Sequence, residues 1–417
     1  MENKKIKILS IASDSHGIGH FRTIWPAQQI ESDFNSEISI EVNFLGADFQ
    51  MDYLKTFDII HFHRQLFASY DNIDVKFKEL KDAGVILIMD IDDYWQPPQT
   101  HPLYYAAIKE KIAEKITKNM KHVDWVTTTT DIFAKHIKQH NKNVFVMPNG
   151  LDMTHKMWQD EDTKKTDKVR FTWIGGSSHL NDLELLRTSM NMLHNDNSIS
   201  NKFQIVMCGY DVRGSITQIN PDGTQQTRKI FPHETIWNKF EEIFTDNYNP
   251  NTISEEYKNY LKRYENKPFE GGDIYESNYV RRWTLPLTRY GSHYNYADVC
   301  LAPLADNIFN EVKSELKIIE AGMKRKALIA QDYSVYQQLL KHGETGLLIK
   351  KSMNRKGWYV AMKQLIENKE LREKLANNLH EFVKDRYDIK NLTKERVQFY
   401  KNLVAERKQK QAEAVTA

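Results

Sequence analysis

Cysteine is nearly missing: Cys208 and Cys300 are the chain's whole complement in 417 residues, and no metal-type spacing links them. This excludes a disulfide scaffold, fits a reducing compartment, and leaves two buried thiols as the expected outcome. Long hydrophobic runs are missing too. The longest, around GVILIMDI at 84–91, is strand-sized and well short of the roughly eighteen apolar residues of a membrane span. The opening MENKKIKILSIA lacks the hydrophobic region and cleavage site of a secretory leader and reads as a first strand. A cytoplasmic protein is expected. Charge of one sign is lacking as well: 58 basic against 56 acidic side chains give +2, so no global field calls for nucleic acid, and only a local basic groove stays open.

What remains is an ordinary globular composition, 40 % apolar and 27 % charged, on a chain long enough for two or three domains. KIKILSIAS, ISIEVNFLG, FDIIHFHR, VILIMDI, VDWVTTTT and NVFVMPNG are strand-length apolar runs, mostly separated by helix-length segments. That pattern argues for a parallel, doubly wound α/β domain over residues 1–155. A second series, VRFTWIGG, FQIVMCGY, ADVCLAPL and KALIAQD, makes 156–385 another Rossmann-like unit. Pro148, Asn149 and Gly150 begin the connection. Residues 211–280 interrupt the rhythm with turn formers, basic residues and aromatics, and read as an insertion. The end is helical; about 385–405 can pack back onto the first domain, and the polar 406–417 is expected to fray as a flexible tail.

Each unit carries a glycine loop just after its first strand. SHGIGHFR holds Gly17 and Gly19; IGGSSHLND holds Gly175, Gly176 and Ser177. Such loops let backbone N–H groups approach a phosphate, and either one alone is equally a plain tight turn. Arg22 occupies the place of the third glycine of the dinucleotide fingerprint, which disfavours a nicotinamide enzyme. In DIIHFHR, His61 and His63 share a strand face near its carboxyl end; a structural role suits His61 and the cleft suits His63. In VILIMDIDDYW, Asp90 and Asp92 share one face with Asp93 opposite. The same letters spell the D-x-D of metal-dependent sugar transferases, so a divalent ion stands as the second reading.

FNEVKSELKIIEAG, residues 309–322, has the apolar spacing of a helix through Val312, Leu316, Ile319 and Met323. Whether Asn310 or Ser314 is the N-cap, a lysine falls in the first turn, where the helix dipole opposes a cation by about 0.3–1 kcal/mol. A bound phosphate would compensate.

These segments, with PNGLD at 148–152, HGETGLLI at 342–349 and GIGHFRTIWP at 17–26, resemble the retaining nucleotide-sugar glycosyltransferases of the two-domain GT-B type, especially family 4 (glycosyl transferases group 1). The resemblance covers nearly the whole chain except the insertion and the tail. It implies two Rossmann-like domains facing across a cleft and a metal-independent transfer of a hexosyl or pentosyl group. The donor would be a UDP- or GDP-sugar co-substrate, with no permanently bound cofactor. The second glutamate of the family's E-x7-E element falls on Glu320, a ribose contact; the first falls on Val312 and is absent. Lys313, Ser314 and Lys317 would face the diphosphate. Gly17, Gly19, Gly175, Gly176 and Ser177 would line the donor side, with Pro286 and Leu287 near the base. Asp92 and His63 would act with Lys317 and Glu320 in catalysis, and His20, Arg22 and Asp93 would face the acceptor. The implied acceptor is a glycan or lipid-linked saccharide, with peripheral membrane contact as in many relatives. The basic and aromatic residues of 211–280 keep a modified base in DNA open. A nucleotide-sugar epimerase and a non-catalytic nucleotide-binding relative are the readings from other classes.

Overall fold

The computed structural model describes residues 5–416 apart from 48, 162, 164–165, 212–214, 220–223, 231–233, 247–277 and 354–355. Its first half is a six-stranded parallel sheet: β1 Ile6–Ala12, β2 Ile38–Phe44, β3 Ile59–His63, β4 Ile86–Ile91, β5 Trp125–Thr128 and β6 Val144–Val146, in the order β2-β1-β3-β4-β5-β6. The second half supplies β7 Val169–Ile174, β8 Phe203–Tyr210, a separate hairpin β9 Ser215–Ile219 and β10 Gln225–Lys229, then β11 Tyr279–Trp283, β12 Val299–Ala302, β13 Ala327–Gln331 and β14 Leu347–Ile349. Its parallel sheet runs β11-β8-β7-β12-β13-β14. Central strands such as β3, β4 and β7 are buried along their whole length, as expected when helices cover both faces of a parallel sheet.

Alternation along each strand feeds cores on both faces. Phe203, Ile205 and Met207 of β8 pack with Trp173 and Phe240, while Val206 and Cys208 pack on the other face with Ile318 and Ile319. Each fully buried large apolar side chain of this kind contributes about 1.5–3 kcal/mol. In the first half, Leu9 and Ile11 face one core. Ile8 and Ile59 face the other, which is closed by Val397, Tyr400 and Leu403 of the C-terminal helix. That helix, Ile389–Thr416, therefore packs on the first sheet, and Arg407 donates to the carbonyls of Lys81 and Val85. The helix continues through residues 406–416. The chain crosses between halves twice, and the crossings pair: Leu151 N–H donates to Tyr387 O and Ile389 N–H to Leu151 O.

Two expectations change. The expected insertion of 211–280 contains the helix Ile236–Phe244, whose Phe240 and Ile243 are core residues, and it overlaps β11, the edge strand of the second sheet. NYLKRY lies outside the described residues. The helix expected from 309 breaks in two, Ile308–Glu311 and Leu316–Met323. Asn307 caps the first, its side chain accepting the Asn310 N–H at 3.0 Å, and Glu315 opens the second, so neither Asn310 nor Ser314 is the cap. The break has a packing cause. Val312, fully buried, leaves the helical path and joins the core of the first half beside residues such as Leu66 and Phe133.

Candidate active site

In open α/β sheets, ligands bind beyond the carboxyl ends of the strands where strand order reverses. Here those points are β1/β3 and β7/β12, and a cavity of about 390 Å³ lies between them. The first half contributes Gly17, Phe21, Arg22, Asp92 and Asp93; the second contributes Trp173, His179, Leu287, Tyr290, Lys313, Ser314 and Lys317. Sequence-distant groups named from the motifs thus share one cleft. Gly19, His20, Gly175, Gly176, Ser177, Pro286, Glu320 and His63 do not line it.

Two glycines answer to packing. A Cβ on Gly19 would stand 1.9 Å from Asp14 O, and one on Gly175 would stand 2.4 Å from the Trp173 ring. Around the second loop it is Trp173 and Ile174, at the end of β7, and His179 that reach the cavity. His20 turns back, its Nδ1 2.9 Å from His16 O and its ring edge-on to Trp25.

Arg22 touches the cavity but is 2 % exposed, and its N–H groups are engaged within the protein. Nε and Nη2 grip Asp90 at 2.9 and 2.7 Å; Nη1 reaches Met147 O and Asn149 Oδ1 at 2.7 and 3.0 Å. It ties β4 to the connection between the halves. Burial pushes the Asp90 carboxyl up, but the Arg22 charge and hydrogen bonds outweigh it and hold Asp90 at about 2. His61 is likewise internal, between Tyr400 Oη at 2.6 Å and Thr127 Oγ1 at 2.9 Å, and burial drops it to about 3.

β4 ends at Ile91, so strand alternation no longer separates the next acids: Asp92 and Asp93 both face the cavity and only Asp90 is interior. Asp92 Oδ1 accepts from His63 Nε2 and Arg64 Nη2, both at 2.9 Å. Burial opposes ionisation there, and His63 and Arg64 overcome it, holding Asp92 far below the usual carboxylate range. Asp93 accepts from Lys313 at 3.0 Å. Each acid of the D-x-D-D run already faces a cation, and no group of three or more His, Cys, Asp or Glu among the described residues is arranged to hold a metal.

On the opposite wall, Lys317 stands at the second position of its helix. Its compensating anion is internal: Nζ lies 2.9 Å from Glu320 Oε2 and 2.8 Å from Tyr290 Oη. Despite the penalty of burial, Glu320 and Tyr290 raise the Lys317 ammonium above its ordinary value. Glu320 is fully buried; Tyr290 and Tyr294 also bond its Oε2, and its Oε1 has no partner among the described residues. Ser314 and Lys313 flank the helix start at the cavity. Among the cavity groups that the motifs did not single out are Tyr290 and His179. Asp182, three residues on, accepts from His179 at 2.7 Å, and that His-x-x-Asp spacing was the available signal.

This architecture, two parallel six-stranded Rossmann-like sheets with a cleft between their switch points, is the GT-B fold of glycosyltransferases. Three solved structures share this fold. Anabaena Alr3699/HepE in complex with UDP is 11 % identical at a TM-score of 0.58, over 96 % of this chain and 100 % of that one. Sucrose-phosphate synthase from Thermosynechococcus elongatus is 12 % identical at 0.59, over 97 % and 100 %. A glycosyltransferase from Rickettsia africae is 12 % identical at 0.58, over 96 % and 99 %. HepE is also solved with UDP-glucose. No protein-family model matches the chain, and no curated protein matches it by sequence. No helix among the described residues is long and apolar enough to cross a membrane.

Proposed function

We propose that this protein is a glycosyltransferase that moves a sugar from a nucleotide-sugar donor to an acceptor hydroxyl, with retention of anomeric configuration, as a family 4-like member of the GT-B group. The observation that carries the reading is the placement of Lys313 and Ser314 just before an eight-residue helix and of Lys317 in its first turn, on the wall of one cavity that faces Asp92 and Asp93. A departing nucleoside diphosphate gains negative charge as the sugar becomes oxocarbenium-like. Two ammonium groups and a helix N-terminus aimed at that point stabilise the charge. Leu287 and Tyr290 offer a surface for the rest of the nucleotide.

Glu320, sealed behind Lys317, serves by holding that ammonium in place. Asp92 keeps an ionised carboxylate on the far wall, where it orients the sugar or the acceptor. The leaving phosphate oxygen can take the acceptor proton, so no dedicated base is required. HepE's complexes with UDP and UDP-glucose make these the first ligands to try, with a glycan or lipid-linked saccharide as acceptor class.

The test is calorimetric binding of UDP and UDP-glucose, then mass spectrometry of products with saccharide acceptors, with and without chelator. Transfer that survives chelation and keeps the anomeric configuration is expected. No nucleotide binding would overturn the reading, and loss of transfer in chelator, restored by manganese, would revive the D-x-D alternative.

A further inference from the structure

Behind Asp92 runs a chain of hydrogen bonds that the transfer reading leaves unused. Asp14 Oδ1 accepts from the N–H groups of His16 at 2.8 Å and Gly19 at 3.2 Å, and Oδ2 takes the Ser13 hydroxyl at 3.0 Å. Ser13 Oγ lies 2.9 Å from His63 Nδ1, and His63 Nε2 lies 2.9 Å from Asp92 Oδ1. Ser13 has one proton. Given to Asp14, it leaves Ser13 only lone pairs to offer, so Nδ1 must donate. An ionised Asp92 accepts only, so Nε2 must donate too. A neutral imidazole has a single N–H, and the chain is complete only when His63 carries both.

The surrounding charges agree. The groups facing His63 are Asp92 with Arg64 on its oxygen, Asp14 through Ser13, Asp90 with Arg22, and the neutral His61 on the same strand. Three carboxylates against two guanidinium groups leave one negative charge, which a protonated His63 balances. We propose that Ser13 and Asp14 are positioning residues. They direct the serine proton away from His63 and so fix it as an imidazolium. That imidazolium holds Asp92, a residue of the cleft wall, ionised, with Oδ1 occupied and Oδ2 without a partner among the described residues. Since Asp14 also pins the Gly17–Gly19 turn, one carboxylate sets both the loop at the cavity and the charge behind Asp92.

What this does for turnover rests on the glycosyl-transfer reading; the charge state does not, and the experiment separates them. Nitrogen NMR of the intact, ligand-free chain near neutral pH, with the His63 signal assigned by its loss in His63→Gln, should show both ring nitrogens protonated. Ser13→Ala should cut the doubly protonated population by about tenfold, the scale of one lost charge-assisted hydrogen bond, and Ser13→Thr should restore it. A single N–H in the wild type, or an unchanged signal in folded Ser13→Ala, overturns the proposal. With UDP-glucose as donor, Ser13→Ala should lower kcat with little change in KM, and Ser13→Thr should recover it. If the wild type transfers nothing while the NMR pattern holds, the transfer reading fails and the assignment of charge stands.

Discussion

Lys313 Nζ lies 3.0 Å from Asp93 Oδ1, so the cation at the helix break on one wall of the cleft is bonded to an acid on the other. The Phe309 ring meets His101, and Asn181 of a separate segment of the second half bonds Thr100 at 2.8 Å, so the stretch after β4 is held to the second half at several points. Both members of the ion pair are partly exposed, which makes it worth about 0–1 kcal/mol, little enough for an incoming phosphate to displace.

Asp93→Asn should therefore free Lys313 and tighten UDP binding by about threefold, while Lys313→Ala should weaken it by about tenfold, each within the range of one exposed ion pair or charged hydrogen bond. Calorimetric titration at low and high salt reads both. Weaker UDP binding by Asp93→Asn would show that the bridge assists the site and does not compete with it.

Lys317→Ala should abolish most turnover and also destabilise the fold, because it takes the ammonium from a Glu320 carboxyl that is fully buried and already short of a partner at Oε1. Breaking such a pair costs about 3 kcal/mol. The double variant Lys317→Ala/Glu320→Gln should regain most of that stability in denaturant melts without regaining turnover.

Arg22→Ala should unfold or strongly destabilise the protein, by about 3–5 kcal/mol, since it strands Asp90 in the interior. An acceptor-facing arginine would instead raise KM with stability unchanged. Comparing melting with KM for the acceptor distinguishes these roles.

Glu315 predicts a pH effect. Burial raises its carboxyl from 4.5 to about 7, with the charge of Arg22 partly opposing, and its Oε2 has no partner among the described residues. The folded state then holds a proton that the unfolded state has lost. Stability from this group is full below the unfolded value and falls as pH rises through 7, by at most about 3 kcal/mol in all. Melting between pH 5 and 8 should show the loss, and Glu315→Gln should flatten it; an unchanged slope would count against the assignment.

The central strands were legible because a parallel sheet buries both faces and leaves continuous apolar runs, as in IIHFH and ILIMDI. β11 was not: YVRRW is an edge strand carrying two arginines, and β14 is three residues long. Lys317 and Glu320 could be read together because they lie three apart on one helix. The helix break at Val312 could not, since the hole that Val312 fills is built by the first half of the chain.

Local physics thus determined from sequence alone the two α/β units, the loops that follow their first strands, and the lysine-rich helix start, because periodicity and turn chemistry act within a few residues. Tertiary structure decided which charge meets which. Arg22 turned inward to Asp90, Lys313 found Asp93, and His63 was set between Ser13 and Asp92. Those pairings depend on burial and on distances between residues far apart in the chain, from 29 positions for His63 and Asp92 to 220 for Lys313 and Asp93, and no local pattern encodes them.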